Sequence, residues 1–122
     1  MWIFTIQYIF SLYYILNTER FLEFAENCRL DSYSEGLTVM LCRDIDLSGT
    51  DFAGVPIFSG TFEGNGHTIT GLQLAPESSN TGLFRYLTET AIVRNLQVMG
   101  YVTPGGTGNV VGSLAGSNAG TI

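Results

Sequence analysis

Three segments of this chain set an apolar–x–apolar triplet directly behind a turn-forming residue: RDIDL at 43–47, TGLQL at 70–74 and RNLQV at 94–98. They begin 27 and then 24 residues apart. A second alignment, at another phase, sets GLFRYLTETAI (82–92) over GSLAGSNAGTI (112–122), thirty residues later. Short strands and glycine turns recurring at such intervals are the mark of a stacked repeat. The leucine-rich frame with its helical segments is missing, so a parallel β-helix is the better match. Glycine takes positive φ freely, and Asn and Asp tolerate it better than other residues. Asp44, Gly71 and Asn95 are therefore expected to stack at one corner. Ile45, Leu72 and Leu96 would point inward, with Leu47, Leu74 and Val98 beside them. Gly60, Gly64, Asn65, Gly66 and Gly71 read as corner residues, and Phe62 and Ile69 as core.

The chain changes character along its 122 residues. No glycine precedes Gly36, whereas twelve of the fifteen lie from Gly60 onward. TERFLEFAENC (18–28) reads as an amphipathic helix, with Thr18 as N-cap and Glu19 suited to the dipole of the first turn. Phe21, Phe24, Ala25 and Cys28 fall on one face at i, i+3, i+4, i+7, leaving Glu19, Glu23 and Glu26 to water. The segment before it, MWIFTIQYIFSLYYIL, is uncharged but shorter than the roughly twenty residues of a spanning helix. It has no basic n-region and no small-residue cleavage site, so it is not read as a signal peptide. Its aromatic and β-branched content favours a hydrophobic edge strand, with a degenerate membrane anchor as the second reading.

RDIDLSG, then PIFSGTFEGNGHTITGLQL, TGLF, IVRNLQVMGYV and VVGSLAGSNAGTI, resemble the repeats of GLUG-motif bacterial surface proteins. Similar repeats accompany the catalytic domain of IgA1-protease-type metallopeptidases. The likeness runs from about residue 18 to 122, and its most specific portion is GTFEGNGHTITGL with the downstream GLF and GTI signatures. The resemblance implies a right-handed parallel β-helix on an exported, wall-associated protein, its open core covered by the helix at 18–28. The first sixteen residues match no part of the pattern, and the pattern stops at Ile122 inside an expected strand. The chain thus reads as a segment at 1–17 plus a GLUG-type domain at 18–122, truncated at its C-terminus. A final coil without a cap would expose strand edges and is expected to self-associate.

The chemistry available is sparse. Net charge is −6, there is no lysine, and the five arginines form no stripe, so nucleic acid has no electrostatic footprint here. His67, the one histidine, follows Glu63 by four residues and would be a general base oriented by it. Its place in GNGHTI makes it instead an architectural residue at the start of a strand. Zinc has no H-E-x-x-H, and Cys28 and Cys42 lack C-x-x-C spacing; they read as buried thiols, with a bridge as the alternative. Asp44, Asp46 and Asp51 suggest calcium, but the EF-hand pattern is absent and alternation turns Asp44 and Asp46 outward. Arg43 with Asp44 and Asp46 resembles a lyase cluster, yet its counterparts Thr70, Gly71 and Gln73 do not complete it. TPGGTGNVVG lacks G-K-[ST] and reads as a variable loop. Arg85, Tyr86 and Tyr101 could touch glycan or protein.

The expected fold is all-β: a short right-handed parallel β-helix, a solenoid of about three coils, with an N-terminal capping α-helix. The expected function is that of a non-catalytic structural or adhesive module of a bacterial cell-surface protein, located extracellularly or at the cell surface. No catalytic, cofactor-binding or metal-binding residue is assigned and no cofactor is expected. Partners would be host or cell-wall protein or glycan. The alternatives are an accessory domain of a surface peptidase and, behind it, a glycan-processing β-helix enzyme.

Overall fold

The computed structural model describes residues 12–74, 82–102 and 115–122. One helix, α1 (Thr18–Asn27), follows the first strand, β1 (Leu12–Ile15). The strands after it are β2 (Thr38–Leu41), β3 (Ile45–Asp46), β4 (Thr61–Glu63), β5 (Thr68–Leu74), β6 (Phe84–Leu87), β7 (Ile92–Arg94), β8 (Gln97–Val102) and β9 (Ala115–Asn118). They form three sheets, in the orders β1-β2-β4-β7, β3-β5-β8 and β6-β9, and every pairing is parallel.

Alternation explains the largest sheet. In β2 and β4, Val39, Leu41 and Phe62 are buried while their neighbours Thr38, Met40, Thr61 and Glu63 lie partly open, the period-2 pattern of a strand with one wet face. Register lines up Tyr13, Val39, Phe62 and Val93 on the inner face and Leu12, Thr38, Thr61 and Ile92 on the outer. α1 supplies much of what the inner face packs against. Phe21 and Phe24 are fully buried, and Phe62 meets the rings of Phe21, Phe24, Phe58 and Phe84 at centroid distances of 6.5, 5.9, 6.1 and 5.3 Å. Such tilted and edge-on contacts are favoured arrangements for aromatic pairs.

The N-cap of α1 is Asn17 rather than Thr18: Asn17 has extended backbone, and its Oδ1 accepts from the Arg20 N–H at 2.9 Å. Asn serves a cap as well as Asp or Ser and better than Thr. Thr18 is freed to tie the helix to β3, its Oγ1 donating to the Asp46 carbonyl at 3.1 Å. Cys28 and Cys42 are both free thiols.

The expected all-β, right-handed β-helix of about three coils is corrected by this topology. The described strands divide among separate parallel sheets of four, three and two strands, with a ten-residue helix built into the core, and no solenoid is established among them. The stacked columns proposed from the repeat do not form. Leu72 lies opposite Gly100, not Leu96, and Ile45 pairs with Ile69, which in turn pairs with Val98. The spacing in space is not the spacing in sequence: β5 pairs with β3 at an offset of 24 residues (Ile45↔Ile69) and with β8 at 29 (Ile69↔Val98), against 27 and 24 in the alignment. Gly71 has φ +73, and the β5–β8 register shifts there by one further residue, to 28 at Leu72↔Gly100. The second alignment slips as well, because Phe84 lies opposite Ala115 and Ile92 opposite Thr121, not at a uniform thirty residues.

Candidate functional site

The polar side chains available for chemistry gather at two places on the strand ends. At the first, β4 ends in Glu63, and the parallel register sets Arg94 of β7 directly beside it. Arg94 Nε donates to Glu63 Oε1 at 2.8 Å, Asn95 Nδ2 donates to both carboxylate oxygens at 3.2 and 2.9 Å, and the Asn65 N–H donates to Oε2 at 2.8 Å. Asn65 and Asn95 both hold positive φ, 55° and 54°, a region Asn tolerates better than most residues. Gly64, just before Asn65, must be glycine for space: a Cβ there would come within 2.3 Å of the Asn95 carbonyl oxygen. The Asn95 side chain, then Arg94, then the Asn65 N–H hold the Glu63 carboxyl below its ordinary value. Three donor groups make four hydrogen bonds to this carboxylate, which ties both of its oxygens to the neighbouring strand and turn.

At the second place, Asp44 precedes β3 and reaches the start of β5. Its Oδ1 accepts from the Thr68 N–H at 2.9 Å and faces His67 Nδ1 at 3.1 Å. These contacts, the Thr68 N–H first, hold the Asp44 carboxyl below its ordinary value. His67 therefore meets Asp44, not Glu63, whose carboxylate is taken up by Arg94 and the two asparagines. An Asp–His pair orients an imidazole in hydrolytic triads, but those need a hydroxyl or thiol on the other ring nitrogen. Among the described residues no hydroxyl or thiol bonds to His67.

The remaining carboxylates stay apart. Asp46 accepts from the Ser48 N–H at 2.9 Å, an Asx-type turn, and that bond holds its carboxyl low. Asp51 lies in a groove of about 710 Å³ between α1 and the loop at 49–56. Among the described residues no three His, Cys, Asp or Glu side chains gather in a metal-ligand group. The groove also holds Glu26, Arg29, Phe52 and Arg85. Arg29 pairs with Glu26 at 3.2 Å, both exposed, and Arg85 lays its stem across Gly54, where a Cβ would meet its Cγ at 2.8 Å. Two acids and two arginines give this groove no preferred ligand charge. Tyr86 is exposed on β6, while TPGGTGNVVG and the Tyr101 side chain lie outside the described residues.

The acid–base pair read from the sequence, Glu63 with His67, is not found; His67 meets Asp44 instead. Arg94 and Asn95 were not singled out for chemistry. Their signal was present in the repeat alignment, but only a register sets Arg94 opposite Glu63.

No family model matches the chain, and no solved structure matches it. The chain is similar to a protein of Evansella cellulosilytica whose name describes a Gly-rich membrane protein, with 34% identity over 121 aligned positions. The match covers 89% of this chain and 14% of that relative, so the chain spans about one seventh of the length of the curated protein it matches. The relative's name agrees with a cell-envelope location for this chain. No described helix is long and apolar enough to cross a membrane.

Proposed function

We propose that the chain is a non-catalytic structural or adhesive module of a bacterial cell-surface protein, of the GLUG-motif type its sequence resembles. One observation carries this reading: the Glu63 carboxylate, the best placed for acid–base work, serves as a staple between β4 and β7 through four hydrogen bonds. Asp44 does the same between the approach to β3 and the start of β5. Side chains spent on cross-strand bonds support a scaffold, whose work is to hold a surface in shape. Host or cell-wall protein or glycan is the partner class. Self-association belongs to the same reading.

The second reading is an accessory domain of a surface peptidase. The 14% coverage of the relative favours it to this extent: most of such a protein lies outside the matched part, with room for a catalytic unit. One experiment separates the two. The parent protein is expressed with and without this segment, and attachment of cells to purified wall material and to host matrix protein is measured beside hydrolysis of a peptide panel. The adhesive reading expects attachment to fall while hydrolysis is unchanged. A fall in hydrolysis with unchanged attachment favours the accessory reading, and no change in either overturns both.

A further inference from the structure

Asparagine is followed by glycine at one step of the sequence, Asn65–Gly66, and every other asparagine precedes a residue with a side chain. An Asn-Gly pair loses its side-chain amide more readily than other asparagine pairs. Glycine has no Cβ to keep its backbone nitrogen away from the neighbouring Cγ. The pair stands at the corner between β4 and β5, where both residues are exposed and take positive φ, 55° and 78°. The His67 N–H donates to the Gly64 carbonyl across the tip at 2.9 Å, and the two positive φ values are those of a type I′ turn.

The nitrogen that would attack is held by the fold. The Gly66 N–H donates to the Asn95 carbonyl at 2.9 Å, and the Asn65 N–H donates to Glu63 Oε2 at 2.8 Å. The Asn65 amide itself is exposed, and among the described residues no hydrogen bond restrains it. Asn95 supplies the contrast. Its φ of 54° matches that of Asn65, but Leu96 follows it, and its Nδ2 is bonded to both oxygens of Glu63. Of two asparagines with the same left-handed backbone, only Asn65 combines a free amide with a glycine successor.

We propose that Asn65–Gly66 is a self-modification site, closed while the corner keeps its bonds and converted to aspartate and isoaspartate when the corner opens. In the open corner the Gly66 nitrogen gives up its proton to base and attacks Asn65 Cγ. A C–N bond forms, the side-chain nitrogen leaves as ammonia, and a succinimide ring remains. Water then cleaves one of the two ring C–N bonds. Cleavage at Cγ leaves aspartate; cleavage at the main-chain carbonyl leaves isoaspartate, with one more methylene in the backbone. No oxidant, metal or second protein is needed. The product places a new carboxylate close to Glu63, and the longer backbone disturbs the register of the two N–H bonds that held the turn. Opening thereby becomes permanent, whatever the module binds.

The test incubates the full chain at mildly alkaline pH with and without urea. Peptide mass spectrometry then follows each asparagine, and isoaspartyl methyltransferase labelling identifies the isomer. In urea Asn65 should be converted before every other asparagine, Asn95 included; another asparagine ahead of it overturns the proposal. Folding should slow Asn65 about tenfold or more, and equal rates with and without urea overturn the gate. Asn95→Ala removes two bonds from Glu63 but keeps the backbone carbonyl, and should speed conversion in the folded chain about fivefold. An unchanged rate in a variant that circular dichroism shows folded refutes the corner as the gate. Should that variant not fold, the parent decides in urea below its midpoint: a rate that climbs there supports local opening, and one flat until the global transition overturns it.

Discussion

Glu63 accepts four hydrogen bonds on one carboxylate, and that sets how it answers acid. Its carboxyl lies below the ordinary 4.5, and those of Asp44 and Asp46 below the ordinary 3.8. Each group binds its proton more tightly in the unfolded chain than in the folded one. The stability they contribute is thus complete above those ordinary values and is lost as pH falls through the lower folded ones. The urea midpoint should drop as pH is taken below 4.5, and Glu63→Gln should reduce that drop while lowering stability at neutral pH. Midpoints measured between pH 7 and 2.5 check it; parallel curves for parent and variant would contradict the staple. Arg94 is more than half exposed, so solvent screens its share and the two Asn95 bonds carry more of the effect.

At the scale of elements, the glycine at 71 marks the one-residue shift in the pairing of β5 with β8. Its φ of +73 is one an L side chain resists, and a Cβ there would sit 2.4 Å from the Ser48 nitrogen and 2.6 Å from Asp46 Oδ1. Gly71→Ala should therefore cost about 2 kcal/mol or more, from strain and contact together. Denaturant unfolding measures it, and a loss under about 0.5 kcal/mol, the scale of an ordinary surface change, would show that the bulge is not needed. This position also separates what could be read from the sequence from what could not. The buried face of α1, Phe21, Phe24, Ala25 and Cys28, follows from 3.6-residue periodicity and is found as read. Turn chemistry was legible in part: Asn65, Gly66, Gly71 and Asn95 take positive φ, whereas Gly60 and Gly64, read as corners with them, do not and are instead glycine where backbone passes close by. Asp44, grouped with them, does not; it acts through its side chain, which composition alone does not reveal. Pairing register was illegible, because the lengths of the turns between strands differ from one connection to the next: β5 follows β3 by 24 residues and β8 follows β5 by 29, whereas the triplets recur at 27 and 24. With the register went the pairing of Glu63 with Arg94 and of Asp44 with His67.

At the scale of the molecule, α1 and the sheets share one core through five fully buried phenylalanines, Phe21, Phe24, Phe58, Phe62 and Phe84. Phe62 touches all four of the others. Phe62→Ala removes that hub and should cost about 3–5 kcal/mol, a large part of what holds a domain of this size together. Denaturant unfolding of parent and variant checks it; a cost near 1 kcal/mol would mean that the rings close over the gap. The same hub ties residues far apart in sequence, so helix and strands should melt in one transition.

Cys28 sits at the C-terminal end of α1, fully buried, its thiol pushed up to about 12 by that burial. Such a sulfur neither ionises at neutral pH nor meets a reagent until the helix lifts from its seat, whereas the half-buried Cys42 needs no such event. Alkylation with iodoacetamide should therefore mark Cys42 first and Cys28 after a lag. That lag is a clock for the breathing of the chain, and Phe62→Ala should make it run fast.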